Sequence, residues 1–180
     1  MILPIITYGH SVLTTPGKEI SPDYSQLVEL IQNMWDTVDH ADGVGLAAPQ
    51  INLSIKLFVV DSVKTYPVLP DSTTAKQAQG IRKAFINPTI LAYSKEKDIE
   101  DEGCLSIPGI YVPVERSVSI TIKYVDEHFV EHTETYHGRT ARMIQHEYDH
   151  VMGKLYLDYL SPLQKLRLQN RLKKIRKGKI

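Results

Sequence analysis

The chain has 180 residues, 42% of them hydrophobic and 23% charged, with 21 basic and 21 acidic side chains. One domain with a full core is expected, since single domains run to about 100–200 residues and chains beyond about 70–80 need no covalent staples. No run of about 18 apolar residues is present for a membrane span, "MILPIITYGHSV" has neither a secretory nor an organelle-targeting character, and a single cysteine excludes an intrachain disulfide, so a cytoplasmic protein is expected.

In chain order, "SPDYSQLVELIQNMWDTVDHADG" predicts a helix with Ser21 as its cap and Pro22 in its first turn. Leu27, Ile31, Met34, Trp35 and Val38 recur at helical spacing, and Gly43 lies just past the end. Residues 55–61 ("IKLFVVD") and 84–93 ("AFINPTILAY") read as strands, separated by a surface excursion over 62–82 with no clear period. Val118, Ile120, Ile122 and Tyr124 alternate, the pattern breaks at Asp126–His128, and it resumes more weakly, which predicts a hairpin. "GRTARMIQHEYDHVMG" reads as a helix between Gly138 and Gly153. A last helix starts at the Ser161 cap and Pro162, with Leu163, Leu166, Leu168, Leu172 and Ile175 as a partial apolar stripe. Helices and strands in this order suggest an α+β fold: antiparallel sheets around the second helix, with 1–160 as the body and 161–180 appended to it. The appended segment carries eight Lys/Arg and no acid. The other thirteen basic residues share 1–160 with all 21 acids, so the body is −8 and the tail +8.

The chemistry concentrates on the second helix. His146 and His150 form H-E-x-x-H with Glu147, and two histidines four apart share one helix face and can reach one metal ion. Glu147 is then positioned as a general base toward water. A catalytic site of this kind needs a third protein ligand. The metzincin pattern continues to Gly153 but meets Tyr156 where its last histidine belongs, and Glu147 is the last glutamate of the chain. Asp158 is the only acid beyond the helix, eight residues past His150, and is a poor candidate. The search therefore moves upstream to Cys104 in "DEGCLSIPG", a Gly-flanked turn whose thiolate would leave a fourth position open. A lone cysteine in a reducing compartment is otherwise an inert buried hydrophobe. "GVGLAAPQ" (43–50) is a third element, where Gly43 and Gly45 permit close backbone approach and Gln50 can donate an amide hydrogen bond.

Together "GVGLAAPQ", "EGCLS" and "QHEYDH" resemble the three ordered motifs of peptide deformylases, and the resemblance runs from "PIITYGHSVL" to "DYLSPL". It implies removal of the N-formyl group from the initiator methionine of new polypeptides. By position, Cys104, His146 and His150 would bind the metal and Glu147 would serve as general base and acid. Gln50 and the Leu105 N–H would stabilise the oxyanion, and Gly45 would pair with the substrate backbone. Val44, Gly103 and Met143 would line the substrate site. The family implies Fe(II), replaceable by nickel, cobalt or zinc, whereas the softness of the ligands alone favours zinc. Glu102, Arg116 and Asp149 are candidates for buried ion pairs that orient the ligands, or for plain surface pairs. His10, His40, His128, His132 and His137 are expected on the surface, with His132 and His137 worth checking as stray ligands.

The sequence departs from the family in three places, one being the 62–82 excursion, which is longer than in compact members. Tyr111 stands where many members carry a substrate-contacting Arg. Arg139 and Arg142 fall where some members have apolar pocket residues, and both are expected to point outward. The basic tail resembles the family's ribosome-docking helix, and the protein is expected to be monomeric. Two rival readings are another metallohydrolase that cuts internal peptide bonds, and an RNA-binding module with an inert metal site.

Overall fold

The computed structural model describes residues 1–66 and 80–179. Most of the 62–82 excursion lies outside them. Three α-helices, α1 (Leu27–His40), α2 (Gly138–Val151) and α3 (Pro162–Arg176), accompany seven strands: β1 (Gly45–Ala47), β2 (Leu57–Asp61), β3 (Arg82–Tyr93), β4 (Lys97–Cys104), β5 (Ile107–Ser117), β6 (Ser119–Val125) and β7 (Glu131–His137). Among the described residues, these strands pair only antiparallel. One sheet has the order β1-β2-β3-β6-β7, and β4 and β5 form a separate hairpin. The class is α+β.

Strand β2 explains the layering. All five residues of "LFVVD" are buried, as expected when both faces of a strand are covered. Leu57 and Val59 pack with Ile31, Met34 and Val38 of α1 on one face. Phe58 and Val60 join Phe85, Ile120, Ile122, Ala141, Ile144 and Val151, which seats the apolar side of α2 on the other. A third cluster joins Ile107, Ile110, Val112 and Val114 of β5 to Leu155, Tyr156, Leu157 and Leu160, and to Leu172 and Ile175 of α3. Helix α2 is therefore held between sheet and hairpin, apolar residues toward the first and polar residues toward the second.

The first helix begins later than expected. The Ser21 hydroxyl bonds the Asp23 carboxylate instead of capping, and Gln26 adopts a left-handed conformation (φ 61°) before Leu27. Local side-chain bonding has displaced the helix by one and a half turns. Helix α3 follows the sequence closely: the Ser161 side chain accepts from the Gln164 N–H, and the Gln164 side chain returns a bond to the Ser161 N–H. Of its apolar stripe only Leu172 and Ile175 are buried, while Leu163 and Leu166 are exposed. In β3, Asn87 (φ 49°) precedes Pro88 at an irregularity between Ile86 and Thr89. Its side chain bonds both backbone groups of Ile20, so the bulge ties the N-terminal segment to the sheet.

Candidate metal centre and cleft

The two histidines lie on α2, and Cys104 ends β4 where the hairpin turns back into β5. "DEGCLS" is thus strand and tight turn rather than an open loop. This geometry brings one donor atom each from Cys104, His146 and His150 within 4.8 Å of one another. The Cys104 sulfur lies 3.2 Å from His150 Nε2. A soft sulfur donor beside two imidazoles, with no fourth protein donor in that group among the described residues, suits a divalent cation with an open position.

His146 is oriented from behind. Its Nδ1 lies 2.9 Å from Glu102 Oε2, which leaves Nε2 to face the centre. Glu102 in turn accepts from Arg116 through Nε (2.6 Å) and Nη2 (2.9 Å). Arg116 Nη1 donates to Asp149 at 2.8 Å, and the Tyr159 hydroxyl donates to Asp149 at 3.0 Å. All three charged groups are buried, so they form one internal network rather than surface pairs. Burial alone would raise the Glu102 carboxyl, but the bonds from His146 and Arg116 outweigh it and hold it down at about 2. Burial would lower His146, but the Cys104 sulfur and the Glu102 carboxylate raise it to about 10. His150 is pushed well below its ordinary value by burial and by the neighbouring His146.

Glu147 is 5% exposed and lines the cleft, and burial raises its carboxyl to about 7. Its Oε2 has no hydrogen-bond partner among the described residues. A buried carboxylate oxygen left free beside a donor set is a group available to a ligand or water. Gly45 makes the room: a Cβ built there would lie 2.5 Å from Glu147 Oε1. Gln50 is equally constrained. Its Oε1 accepts from the Ala47 N–H (2.8 Å), which turns the NH₂ toward Cys104 Sγ (3.5 Å) and Ser106 Oγ (3.2 Å). Tyr156, which replaces the metzincin histidine, stacks on His146 at 5.8 Å and donates to the Ile110 carbonyl at 2.8 Å. Asp158 caps Leu155 N–H at 2.9 Å, away from the ligand group.

A cleft of about 650 Å³ opens onto these residues, with Val44, Gly45, Gln50, Gly103, Leu105 and Met143 in its wall. Strand β1 lies at the edge of its sheet, so its free side faces outward. Gly103 accommodates the Tyr111 ring, whose nearest atom would be 2.5 Å from a Cβ at that position; Tyr111 itself is 72% exposed.

The expectation that both arginines point outward fails, since both line the cleft. Arg139 is exposed and bonds the Thr65 carbonyl, but Arg142 is 7% exposed and turned toward the hairpin, where Glu102 offers a carboxylate. Its position one turn before His146, on the same face, was the available signal. Neither His132 nor His137 joins the ligand group: His132 lies 2.7 Å from Asp126, and His137 is exposed at the start of α2. His10, His40 and His128 are exposed. Among the described residues, no helix is long and apolar enough to cross a membrane.

Residues 2–166 match the family model for polypeptide deformylase. A peptide deformylase of Christiangramia forsetii is 48% identical over 184 residues, covering 100% of this chain and 92% of its own. One of Flavobacterium johnsoniae is 45% identical over 183 residues, covering 99% and 92%. Among solved structures, the peptide deformylase of Ehrlichia chaffeensis superposes with a TM-score of 0.84 at 30% identity, covering 100% of this chain and 98% of its own. On this evidence the chain belongs to the polypeptide deformylase family, hydrolases with a catalytic divalent metal that remove the N-formyl group from nascent polypeptides.

Proposed function

We propose that Cys104, His146 and His150 hold the catalytic cation and that Glu147 moves the protons of the reaction. The observation that carries this reading is the convergence of those three donors beside a buried carboxylate with one unpartnered oxygen. A divalent ion held there would supply Lewis acidity, acidifying water and polarising the formyl oxygen. Fe(II) is the native ion in this reading, with nickel, cobalt or zinc as replacements.

Glu147 takes a proton from water as the resulting hydroxide attacks the formyl carbon. It then delivers that proton to the leaving amine as the formyl C–N bond breaks, which releases formate and a polypeptide whose N-terminal methionine carries a free amine. The Gln50 amide, already turned toward Cys104, and the Leu105 N–H beside it meet the charge that develops on the formyl oxygen. One such donor is typically worth about 2.7–4 kcal/mol of the barrier. The substrate peptide lies extended along the free edge of β1 and pairs at Gly45, which the edge position of that strand favours. Val44, Gly103 and Met143 surround the substrate near its methionine. Glu102, Arg116 and Asp149 keep His146 turned toward the ion.

Residues 1–160 act in this reading as the catalytic body of a cytoplasmic monomer, with the basic segment 161–180 as a ribosome anchor. The eight positive charges of that segment, which has no acidic side chain of its own, support attraction to RNA. Metal analysis of anaerobically purified protein, paired with formate release, tests the ion: iron at one per chain with full activity is expected. Active protein with no iron and only zinc would refute Fe(II). Cys104→Ser should lose the ion in the same assay.

A further inference from the structure

Helix α2 presents a row of polar side chains to the β4–β5 hairpin: Arg142, Gln145, His146 and Asp149. Gln145 Nε2 donates to the Ser117 carbonyl at 2.9 Å, and Asp149 accepts from Arg116 at 2.8 Å. Arg142 makes more links than either. Its Nη1 donates to Glu102 Oε1 (2.7 Å) and to the Val114 carbonyl (2.9 Å). Its Nη2 donates to the Asp98 carbonyl (3.1 Å) and also bonds the Asp98 carboxylate. One guanidinium thus grips both strands of the hairpin from the helix.

That grip bears on the metal centre because of where its ends lie. Glu102 is two residues before Cys104 on β4, and Arg142 is one turn before His146 on α2. The distance from thiolate to imidazoles is set by how strand and helix dock. Glu102 is also the acceptor of His146 Nδ1. Without Arg142, Arg116 still holds Glu102, but the Asp98 and Val114 carbonyls lose their guanidinium donor and the carboxylate loses one of its restraints. A planar group with five fixed donors can do this, and an ammonium cannot match it.

We propose that Arg142 is a positioning residue for the metal centre, locking the strand of Cys104 onto the helix of His146 and His150 and steadying Glu102 against His146. The inference rests on the ligand assignment made above. Cobalt(II)-loaded full-length protein provides the test, with Arg142→Met and Arg142→Lys compared against Leu27→Ala, a destabilising change in the first turn of α1. Arg142→Met should release cobalt to a chelator about 10–100-fold faster than the parent, shift the visible d–d bands, and lower kcat with KM nearly unchanged. Arg142→Lys should lie between the two, and Leu27→Ala should keep the native bands and release rate. Native bands and release in both Arg142 variants would overturn the proposal, as would equal cobalt loss in Leu27→Ala. If Arg142→Met does not fold, Arg142→Lys decides by the same two outcomes. Native cobalt bands in Cys104→Ser would overturn the ligand assignment and this inference with it, a result distinguishable from failure of the Arg142 variants alone.

Discussion

At the scale of single residues, the site depends on groups that can face only one way. The Ala47 N–H occupies the Gln50 carbonyl oxygen, so the NH₂ must face the cleft. Gln50→Ala should therefore lower kcat about 100-fold or more while metal content stays at the parental level. Gly45→Ala should also lower kcat with the metal retained, because its Cβ collides with Glu147 Oε1; unchanged turnover would mean Glu147 can shift freely. Sequence reasoning reached Cys104 by elimination, since H-E-x-x-H limits what can complete it and few soft donors exist in the chain. It did not reach Arg142. Residue type and spacing mark a helix face, but which of two faces meets a buried carboxylate depends on a hairpin more than 20 residues away.

Among the elements, the β4–β5 hairpin was the least legible. Lys97–Cys104 carries five charged residues, and Ile107–Ser117 contains Pro108, Gly109 and Pro113, which argue against a central strand. A two-stranded hairpin tolerates them because each strand has a free edge. The β6–β7 hairpin and α3 were legible because their alternation and caps are local. For α3 the sequence pattern overstated the apolar stripe, and the structure instead seats it through Leu172 and Ile175. Ile175→Ala should cost about 2–5 kcal/mol in urea denaturation; a negligible change would show that the helix is loosely attached. In the larger sheet, burial alone would raise the Glu134 carboxyl, but bonds from Lys83, Tyr136 and Tyr124 outweigh it and hold it below its ordinary value. A carboxyl depressed by folding contributes stability above its unfolded pKa of about 4.3, and that contribution is lost as pH falls through the lower folded value. Glu134→Gln should therefore flatten the loss of stability on the acid side of about pH 4.3, measured by denaturation at a series of pH values.

For the molecule as a whole, charge is divided between the body, which holds the candidate metal centre, and the tail proposed as an anchor. The body is acidic and the last twenty residues are basic. Because Leu172 and Ile175 are buried, deleting α3 would damage the core, so surface charge is the cleaner variable. Arg167, Lys173 and Lys177 are exposed, and reversing all three to Glu should abolish salt-sensitive co-sedimentation with ribosomes. Turnover of a short formyl-Met peptide should stay at the parental level, and unchanged co-sedimentation would remove the anchoring role. In the proposed mechanism Cys104, His146 and His150 hold the ion while Glu147 moves the protons. The most direct test of this mechanism is Glu147→Ala, assayed together for metal content and for formate release from a formyl-Met peptide. One metal per chain with no formate is the predicted result, and formate release at the parental rate would contradict it.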